Sequence, residues 1–544
     1  MKENMFTITT YNYSDENFDQ WVLENDYHCV YILENGRDAY IGETQDAKER
    51  AAQHNSDSPK NKNKKYRFIR IHIITGLLME ETPAKHYENL FIKLMKVDNK
   101  FNIVNGNDGQ RPHYYRKNEF ELYFDKLWLK LEKKGLIKTK EFETIINSSS
   151  YKYSPHTTLT EAQHNTLTSI VHTIDSDETQ PHKEKAFKIR PILISGDAGT
   201  GKTVVATSLF YYLKSNVRFK DKKIALVYAN PSTRSEIQEV FKNIKGLHKK
   251  DVISPVALTK QHYDIVICDE AQRLRRGKNL GKYFVNFYKG NERLSFDNTH
   301  DELDWILENS RCTILFYDNK QSTGPSDITH KHFEERLHDR KRGIRPIQLD
   351  EQMRIKAGSG YVPYIYDVLY QRATGITLFE NYEFKLFDSF ADMVGLLDEK
   401  EHDVGLCRLC TGYAWRWNAR EDKTLVDISL DGVNIQWNTQ TGGWLSNPDA
   451  KKEMGSIYTL PGLDLNYAGV VIGPDLFFDT HDNTIKVNKD NFVDDKVKNG
   501  VTDLELREYI LNTYAVFLIR GIRGTYVYVC DNNLREYFKK YIVG

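Results

Sequence analysis

The chain has 544 residues, with 76 Lys and Arg against 76 Asp and Glu, and 40% of its residues are hydrophobic. Its length predicts several domains, since one domain usually takes about 100 to 200 residues. The aromatic content excludes a disordered chain, and no apolar run reaches the roughly 18 residues that a membrane span needs. The first residues carry no basic segment followed by an apolar one, and the cysteines are too scattered for a disulfide framework. We therefore expect a cytoplasmic protein that does not enter a membrane.

The first pattern is a β-hairpin that leads into a helix. Two short β-runs, CVYIL and AYIGE, are joined by a turn over residues 34–37. A helix-like segment follows through Arg50 and His54, and then come the strand-like IRIHII and a helical run over about residues 83–95. These elements predict a compact α/β domain over residues 1–115.

The polar side chains of this domain form a chemically useful set. Tyr31 and Tyr40 lie on adjacent predicted strands, Arg50 and His54 share one helix face, and Glu88 lies on the later helix. Such a set suits the cutting of a phosphodiester. The carboxylate holds a divalent metal, the arginine neutralises the scissile phosphate, and a polarised tyrosine or metal-bound water acts as nucleophile or base.

This set resembles the GIY-YIG nuclease family over about residues 27–115. The resemblance implies a metal-dependent endonuclease. Two alternatives stay open: a nuclease fold that only binds nucleic acid, and an unrelated small α/β module. Cys29 stands where the family has its first glycine. The matched residues are Tyr31 and Tyr40 of the two tyrosine motifs, the close-approach glycine Gly42, the catalytic Arg50, the accessory His54, the metal-binding Glu88, and the late asparagine Asn102, with Asn105 as the alternative.

A second pattern begins after a polar stretch. Residues 116–185 read as a helical linker, in which a helix is followed by polar segments. From residue 189 onward, apolar β-runs such as PILIS, IALVYA and YDIVICDE alternate with helical stretches. Strands that are apolar throughout indicate a parallel sheet that is covered on both faces.

Two motifs in this region predict nucleotide chemistry. The sequence Gly196-Asp197-Ala198-Gly199-Thr200-Gly201-Lys202-Thr203 lies between the strand PILIS and a helix, as in a phosphate-binding loop. Its glycines turn backbone amides toward a triphosphate, Lys202 reaches the β- and γ-phosphates, and Thr203 can ligate Mg²⁺. At the end of another strand, Asp269 would hold Mg²⁺ and Glu270 would orient the attacking water. A glycine-rich turn and helix-capping carboxylates are the structural alternatives.

These residues resemble superfamily 1 helicases, and within them the Schlafen group 3-like helicase family, over about residues 155–544. The resemblance implies two RecA-like parallel-sheet domains, at 186–345 and 346–544, that bind ATP with Mg²⁺. The motif V segment has Tyr458 where the superfamily usually has His. The matched residues are the adenine-reading Gln163 of the Q motif, Gly196, Gly199, Gly201, Lys202 and Thr203 of the phosphate loop, Asp269 and Glu270 of motif II, the sensor Gln321 of motif III, Arg354 of motif IV, and the charge-stabilising Arg520 of motif VI.

Several features have structural explanations beside functional ones. Arg354 and Arg520 could each form an ion pair at the surface instead of acting in catalysis. The aromatic segment 413–417 suits base stacking or interdomain packing, and the basic runs 273–278 and 340–345 suit phosphate contact or solvated charge. The pair Cys407 and Cys410 lacks a second ligand pair, which favours a structural role over zinc binding.

Together the motifs predict a small α/β GIY-YIG-like nuclease domain followed by two RecA-like domains. We expect an ATP-driven helicase or translocase fused to an endonuclease, with ATP and Mg²⁺ or Mn²⁺ as cofactors. We expect nucleic acid as partner, with DNA favoured over RNA, and leave a homo-oligomer or a partner protein open. One alternative is a regulatory ATPase switch that gates the nuclease without translocation, and another is a nucleic-acid-binding ATPase with an inactive nuclease domain. The resemblance also suggests bacterial defence against foreign DNA.

Overall fold

A computed structural model shows how these segments fold. The chain divides into two compact units, Met1–Tyr151 and Lys152–Gly544, each described by itself. The structure describes residues 6–13, 28–55, 64–76, 79–106, 117–139, 145, 151, 154–155, 159–179, 191–242, 244, 246–318, 320–338, 345–352, 355–440, 444, 447–460 and 464–544.

The N-terminal unit is a five-stranded sheet with helices packed on it. Its elements are β1 (Phe6–Asn12), β2 (Cys29–Glu34), β3 (Asp38–Thr44), α1 (Ala47–Asn55), β4 (Arg70–Gly76), α2 (Glu81–Asp98), β5 (Asn102–Ile103) and α3 (Lys117–Lys133). The strand order is β1-β4-β2-β3-β5, antiparallel except for β5, which lies parallel to β3. In the turn between β2 and β3, Asn35 Oδ1 accepts the amides of Arg37 and Asp38, and Gly36 has φ +85°.

Helix α3 belongs to the core of this unit. Ile41 of the sheet and Phe91 of α2 form one buried cluster with Phe124 and Trp128 of α3. The rings of Phe91 and Phe124 lie 5.2 Å apart, and Trp128 is fully buried. The sequence placed residues 116–185 in a linker, whereas the first part of that range completes the N-terminal core. The apolar face of α3 has its partners on α2, and the local sequence pattern does not show that pairing.

The first lobe of the C-terminal unit is a six-stranded, fully parallel sheet. Its strands are β6 (Ile192–Gly196), β7 (Ile224–Val227), β8 (Val252–Ile253), β9 (Tyr263–Cys268), β10 (Ser310–Tyr317) and β11 (Arg345–Leu349). Its helices are α4 (Glu161–Thr179), α5 (Lys202–Ser215), α6 (Pro231–Lys242), α7 (Pro255–Leu258), α8 (Phe284–Arg293), α9 (Glu302–Glu308) and α10 (His330–His338). The strand order is β11-β6-β10-β9-β7-β8, so the first lobe includes β11 and extends past the expected boundary at residue 345.

The second lobe is a seven-stranded sheet of order β12-β20-β17-β13-β16-β15-β14 with a separate hairpin, β18-β19. Its strands are β12 (Glu383–Phe387), β13 (Cys407–Thr411), β14 (Ile428–Leu430), β15 (Val433–Trp437), β16 (Glu453–Gly455), β17 (Leu465–Ile472), β18 (Leu476–Asp479), β19 (Thr484–Val487) and β20 (Gly521–Val529). Its helices are α11 (Tyr361–Leu369), α12 (Phe390–Val404), α13 (Asp495–Lys498), α14 (Asp503–Leu518) and α15 (Asn532–Phe538). Only the β14-β15 pairing in the large sheet is antiparallel.

The predicted fold class is confirmed: a small α/β domain precedes two parallel-sheet, RecA-like lobes. Since the carboxyl ends of parallel strands meet at one edge, β6, β9 and β10 bring the phosphate loop, Asp269 and Asp318 together. No helix in the described ranges combines the length and apolarity that crossing a membrane requires.

Candidate functional site

The phosphate loop between β6 and α5 is shaped by two close approaches. Gly199 and Gly201 have φ +87° and +82°, a left-handed conformation that favours glycine. A Cβ on Gly199 would lie 2.1 Å from Gln352 Oε1, and a Cβ on Gly201 would lie 2.1 Å from Gln163 Nε2. The backbone conformation therefore favours glycine at both positions, and a side chain at either would displace a glutamine that contacts the loop.

Those two glutamines hold the loop from outside. Gln352, from the motif IV segment, donates from Nε2 to the carbonyl oxygen of Ala198 at 2.7 Å. Gln163, at the start of α4, donates from Nε2 to the carbonyl oxygen of Thr200 at 3.2 Å and accepts the amide of Thr160. The predicted adenine-reading glutamine thus lies buried against the phosphate loop.

Ion pairs join the loop to motif III. Lys202 Nζ lies 3.1 Å from Asp318 Oδ2 and also donates to the carbonyl oxygen of Gly196 at 2.5 Å. A second ion pair has its cation on motif III and its carboxylate on the loop: Lys320 Nζ lies 3.0 Å from Asp197 Oδ1. Gln321, the predicted sensor, donates to Asp318 Oδ2 at 2.7 Å. The sequence did not predict these pairs, since they join the ends of two separate strands.

Motif II provides a buried acidic pair at the end of β9. Asp269 accepts the hydroxyl of Tyr228 at 3.0 Å, the amide of Glu270 at 2.9 Å and the hydroxyl of Thr203. Burial raises the pKa of Asp269, and these hydrogen bonds oppose the rise. A hydroxyl beside a carboxylate is a donor set that fits Mg²⁺, and Thr203 and Asp269 are the residues that would hold it.

Glu270 is held in an unusual conformation with an unsatisfied oxygen. Its φ of +49° is left-handed, and its buried Oε2 has no hydrogen-bond partner among the residues that the structure describes. Burial and the neighbouring Asp269 raise the pKa of Glu270, while the charges of Arg273, Arg520 and Lys202 oppose the rise. Strained backbone and an orphaned buried carboxylate are typical of a catalytic position.

Arg520 brings the second lobe to this site. It lies between α14 and β20, its side chain is buried, and its charge acts on Glu270 across the two lobes. This placement is the one expected for an arginine that stabilises charge in phosphoryl transfer. Arg354, predicted for the same task, lies outside the described residues.

The N-terminal unit brings its predicted aromatic residues together. The hydroxyl of Tyr31 lies 3.0 Å from His54 Nε2, and the rings of Tyr40 and His54 are 4.7 Å apart. Gly42 is paired with Tyr31 across β2 and β3, and a Cβ there would lie 2.3 Å from the Tyr31 hydroxyl oxygen. Arg50 hydrogen-bonds the same hydroxyl from α1. The glycine therefore makes room for the first tyrosine.

The ionisation of this cluster is set by burial. Burial, followed by the charge of Arg50, lowers the pKa of His54 to about 4, so the imidazole is neutral at pH 7. Burial raises the pKa of Tyr31. Burial and the nearby Glu43 raise the pKa of Glu88 to about 7, against the opposing charges of Arg50 and Lys85. Sequence reasoning missed Glu43, whose only signal was its place beside Gly42.

The two candidate asparagines have different surroundings. Asn105 exchanges two hydrogen bonds with the backbone of Ile41, at 3.0 and 2.6 Å, between Tyr40 and Gly42. Asn102 donates to Asp38 at the exposed end of the sheet. Asn105, the second choice from the sequence, is therefore the one that positions the second tyrosine motif.

The cysteine pair, the aromatic segment and part of the basic runs lie in environments that favour a structural role. Cys407 and Cys410 of β13 belong to two different buried clusters, and among the described residues no three or more His, Cys, Asp or Glu side chains are grouped so that they could hold a metal ion. Trp415 and Trp417 pack partly buried against the second lobe. Of the run 273–278, Arg273 pairs with Asp327 at 3.0 Å; residues 340–344 lie outside the description.

Comparisons with known proteins identify two domain families in this chain. The model of the Schlafen group 3 DNA/RNA helicase domain matches residues 190–531, and that of the GIY-YIG catalytic domain matches residues 27–102. An uncharacterized protein of Saccharomyces cerevisiae is 27% identical over 391 residues, which cover 63% of this chain and 82% of that protein.

Among solved structures, the chain is similar to the Pif1 helicase of Candida albicans, with 14% identity, 45% of this chain and 55% of that chain covered, and a TM-score of 0.23. It is also similar to the arterivirus nonstructural protein 10 helicase, with 11% identity, 64% and 61% covered, and a TM-score of 0.28. It thus spans less than two thirds of either helicase. The chain belongs to the Schlafen group 3 DNA/RNA helicase domain family and carries a GIY-YIG catalytic domain ahead of the helicase domain.

Proposed function

We propose that this helicase–nuclease fusion is an ATP-driven motor on nucleic acid, coupled to a metal-dependent endonuclease that cleaves DNA. The observation that carries the proposal is the buried Oε2 of Glu270, which forms no hydrogen bond with any part of the chain that the structure describes. The charges of Lys202 and Arg520 act on this carboxylate. A carboxylate of that kind is placed to orient a water molecule. Because Arg520 comes from the opposite lobe, ATP hydrolysis depends on the relative position of the two lobes.

The chain's own residues divide the work of ATP hydrolysis. The loop amides bind the triphosphate, and Lys202 exchanges Asp318 for phosphate oxygens. Thr203 and Asp269 would hold Mg²⁺, which neutralises phosphate charge when bound. Release of Asp318 also frees the oxygen that Gln321 contacts, so motif III senses the nucleotide.

The nuclease site contains a hydrogen-bonded tyrosine and a metal-binding carboxylate. Neutral His54 lies within hydrogen-bonding distance of the Tyr31 hydroxyl and can accept a hydrogen bond from it, which orients that hydroxyl. Arg50 offers planar, permanently charged donors to the scissile phosphate. Glu88 would hold Mg²⁺ or Mn²⁺, whose chemistry when bound is to lower the pKa of a water and to neutralise the leaving oxygen.

A cleft of about 460 Å³ between the lobes supports nucleic acid as the substrate. Basic and aromatic side chains of the first lobe, including Arg275, Lys282 and Tyr283, line one wall, and Tyr458 lies on the other. The guanidinium of Arg275 stacks 4.3 Å from the Tyr283 ring centroid. Cations interleaved with aromatic rings suit a single strand, because phosphates and bases are both bound.

The test compares Lys202→Ala and Glu270→Gln with wild type in ATPase assays, with single-stranded DNA, single-stranded RNA or neither. We expect Lys202→Ala to lose nucleotide binding, and Glu270→Gln to bind ATP but turn over about 100-fold more slowly. Glu239→Gln, an exposed change in the same lobe, is the control. Near-normal turnover in both site variants would overturn the ATPase assignment.

Displacement of streptavidin from biotinylated strands separates a motor from the regulatory switch. A motor is stimulated by single strands and removes the block, whereas a switch gates cleavage by ATP without removing it. Metal-dependent nicking of plasmid DNA, measured on the same preparations, tests the nuclease. Phage plating on cells that carry wild-type or Lys202→Ala protein tests the role in bacterial defence that the resemblance suggests, and sedimentation tests whether the chain forms a homo-oligomer.

A further inference from the structure

A segment of the second lobe crosses to the first lobe beside the proposed nucleic-acid cleft. Residues 488–502, here called the strap, connect β19 to α14 and contain the short helix α13. The strap is anchored on its own lobe, where the amide of Val493 donates to the carbonyl oxygen of Tyr413 at 2.9 Å. On the first lobe, Asn279 Nδ2 donates to the carbonyl oxygen of Asn499 at 2.6 Å.

Two apolar contacts continue this crossing. The Lys496 stem packs on Gly281, where a Cβ would lie 3.5 Å from Lys496 Cε. Val497 packs on Gly324, where a Cβ would lie 3.6 Å from Val497 Cγ2. Side chains of the strap, Phe492, Asp494, Lys496 and Val497, form part of the cleft wall. The strap therefore joins the lobes and narrows the cleft between them.

Tyr458 connects the strap to the cleft. Its hydroxyl donates to Asp494 Oδ2 at 2.6 Å, and Asp494 Oδ1 accepts the amide of Lys496 at 3.0 Å. The Tyr458 ring lies 5.5 Å from that of Tyr413, which stacks on Trp437 at 5.2 Å. Tyr458 is nevertheless 44% exposed. An exposed ring at the end of an aromatic stack is a surface on which a base can stack, and here the strap is tied to it.

One carboxylate of the strap, that of Asp494, opposes a strand in this cleft. It lines the cleft together with Arg273, and Arg273 is already paired with Asp327 at 3.0 Å. Lys496 lines the cleft as well, so the unfavourable charge is that of Asp494 and not of the strap as a whole. Nucleic acid binds favourably when protein cations release counterions from its phosphates. A carboxylate in the cleft therefore lowers the affinity for a strand.

We propose that the strap is an autoinhibitory cover: it closes the cleft of the resting protein, and a single strand enters by breaking the Tyr458–Asp494 hydrogen bond and displacing residues 488–502. The inference rests on the proposed function, since it requires a strand to bind in this cleft. It gives Tyr458 two states, one held by the strap and one free to stack on a base.

The first experiment measures binding of a fluorescent single-stranded oligonucleotide to the full chain. Tyr458→Phe keeps the ring and removes only the donor, so we expect at least about tenfold tighter binding, the effect of losing one hydrogen bond to a charged group. Asp494→Asn should act in the same direction and more strongly, because it also removes a charge. Asp490→Asn is the matched control: it removes the same charge from an exposed position of the strap. Weaker binding by Tyr458→Phe, or equal tightening by Asp490→Asn, would overturn the proposal that the Tyr458–Asp494 hydrogen bond holds the strap in place.

The second experiment locks the strap. A Gly324→Cys and Val497→Cys pair places two thiols across the contact, and under oxidation we expect binding to fall at least about tenfold and to return on reduction. Equal binding by the locked and reduced forms would overturn the proposal. Wild-type protein that binds neither DNA nor RNA would instead refute the proposed function, so the two failures are distinguishable.

Discussion

Gln352 donates a 2.7 Å hydrogen bond to the carbonyl oxygen of Ala198, and its amide fills the space in which Gly199 would carry a side chain. The motif IV segment and the phosphate loop are therefore one structural unit, although they are far apart in the chain. Any change that pushes Gln352 away alters the loop that binds the triphosphate.

Gly199→Ala should weaken ATP binding without unfolding the protein. The added methyl group would lie 2.1 Å from Gln352 Oε1, so Gln352 must shift and lose its hold on Ala198, and the left-handed φ of +87° adds strain to the loop. Binding of a fluorescent ATP analogue should weaken at least about tenfold, as expected for losses of roughly 1.4 kcal/mol or more. Gly395→Ala in α12, with no atom within 4 Å, is the control and should bind normally. Unchanged ATP affinity in Gly199→Ala would show that the loop tolerates the added methyl group beside Gln352.

The phosphate loop and the hairpin could be predicted from the sequence because each depends on neighbouring residues. The Asn35-Gly36 turn and the run from Gly196 to Thr203 fix their own conformations. By contrast, the packing of Gln352 on Ala198, and of Phe124 on Phe91, joins segments whose proximity depends on the whole fold. No local pattern encodes such pairings.

Arg520→Ala should slow turnover at least about 100-fold with little effect on nucleotide affinity. The buried guanidinium acts on Glu270 from the opposite lobe, where charge develops during phosphoryl transfer. ATP hydrolysis and nucleotide binding measured on one preparation give the two effects separately. Arg372→Ala, on the exposed surface of the same lobe, is the control. A fall in affinity with normal turnover would make Arg520 a binding or structural group.

Arg50→Lys should lose most cleavage although the charge is kept. Arg50 hydrogen-bonds Tyr31 and also donates to Gln53 Oε1 at 2.7 Å, so its planar group makes contacts in two directions. Plasmid nicking should fall at least about tenfold while ATP hydrolysis stays normal. Arg37→Lys on the hairpin turn is the control. Full cleavage by Arg50→Lys would show that charge alone is sufficient.

The nuclease site also shows which features of a site can be predicted from the sequence. Tyr31, Tyr40 and Gly42 could be predicted together because adjacent strands with a short turn have one register. The effect of Glu43 on Glu88 could not, since it depends on how α2 lies over β3. The sequence therefore predicted which groups meet, and the structure added how they ionise.

Cleavage at limiting metal should rise with pH through about 7. Burial and Glu43 raise the pKa of Glu88 to about 7, so the carboxylate is largely protonated below that pH and ionised above it. A metal must displace the proton, and the nicking rate should therefore rise as pH increases, approaching tenfold per unit below pH 7. Saturating Mn²⁺ should move this rise to lower pH. A rate that is flat from about pH 6 to 8 at limiting metal would show that Glu88 does not hold it.

The same pKa predicts a gain in stability when the charge is removed. The folded-state pKa of Glu88 lies above its ordinary value of 4.5, so its contribution to stability is fully present below pH 4.5 and is lost as pH rises through about 7. Glu88→Gln should therefore abolish cleavage and raise the melting temperature of the metal-free protein at pH 8, but not at pH 5. The gain is on the order of 1 kcal/mol, since solvent screening of a partly exposed group reduces the full effect. Glu81→Gln on the same helix is the control, because that carboxylate is exposed and paired with Lys85. If Glu88→Gln lowered the melting temperature at pH 8, the ionised carboxylate would be stabilised by its neighbours, and burial would not be the dominant effect on its pKa.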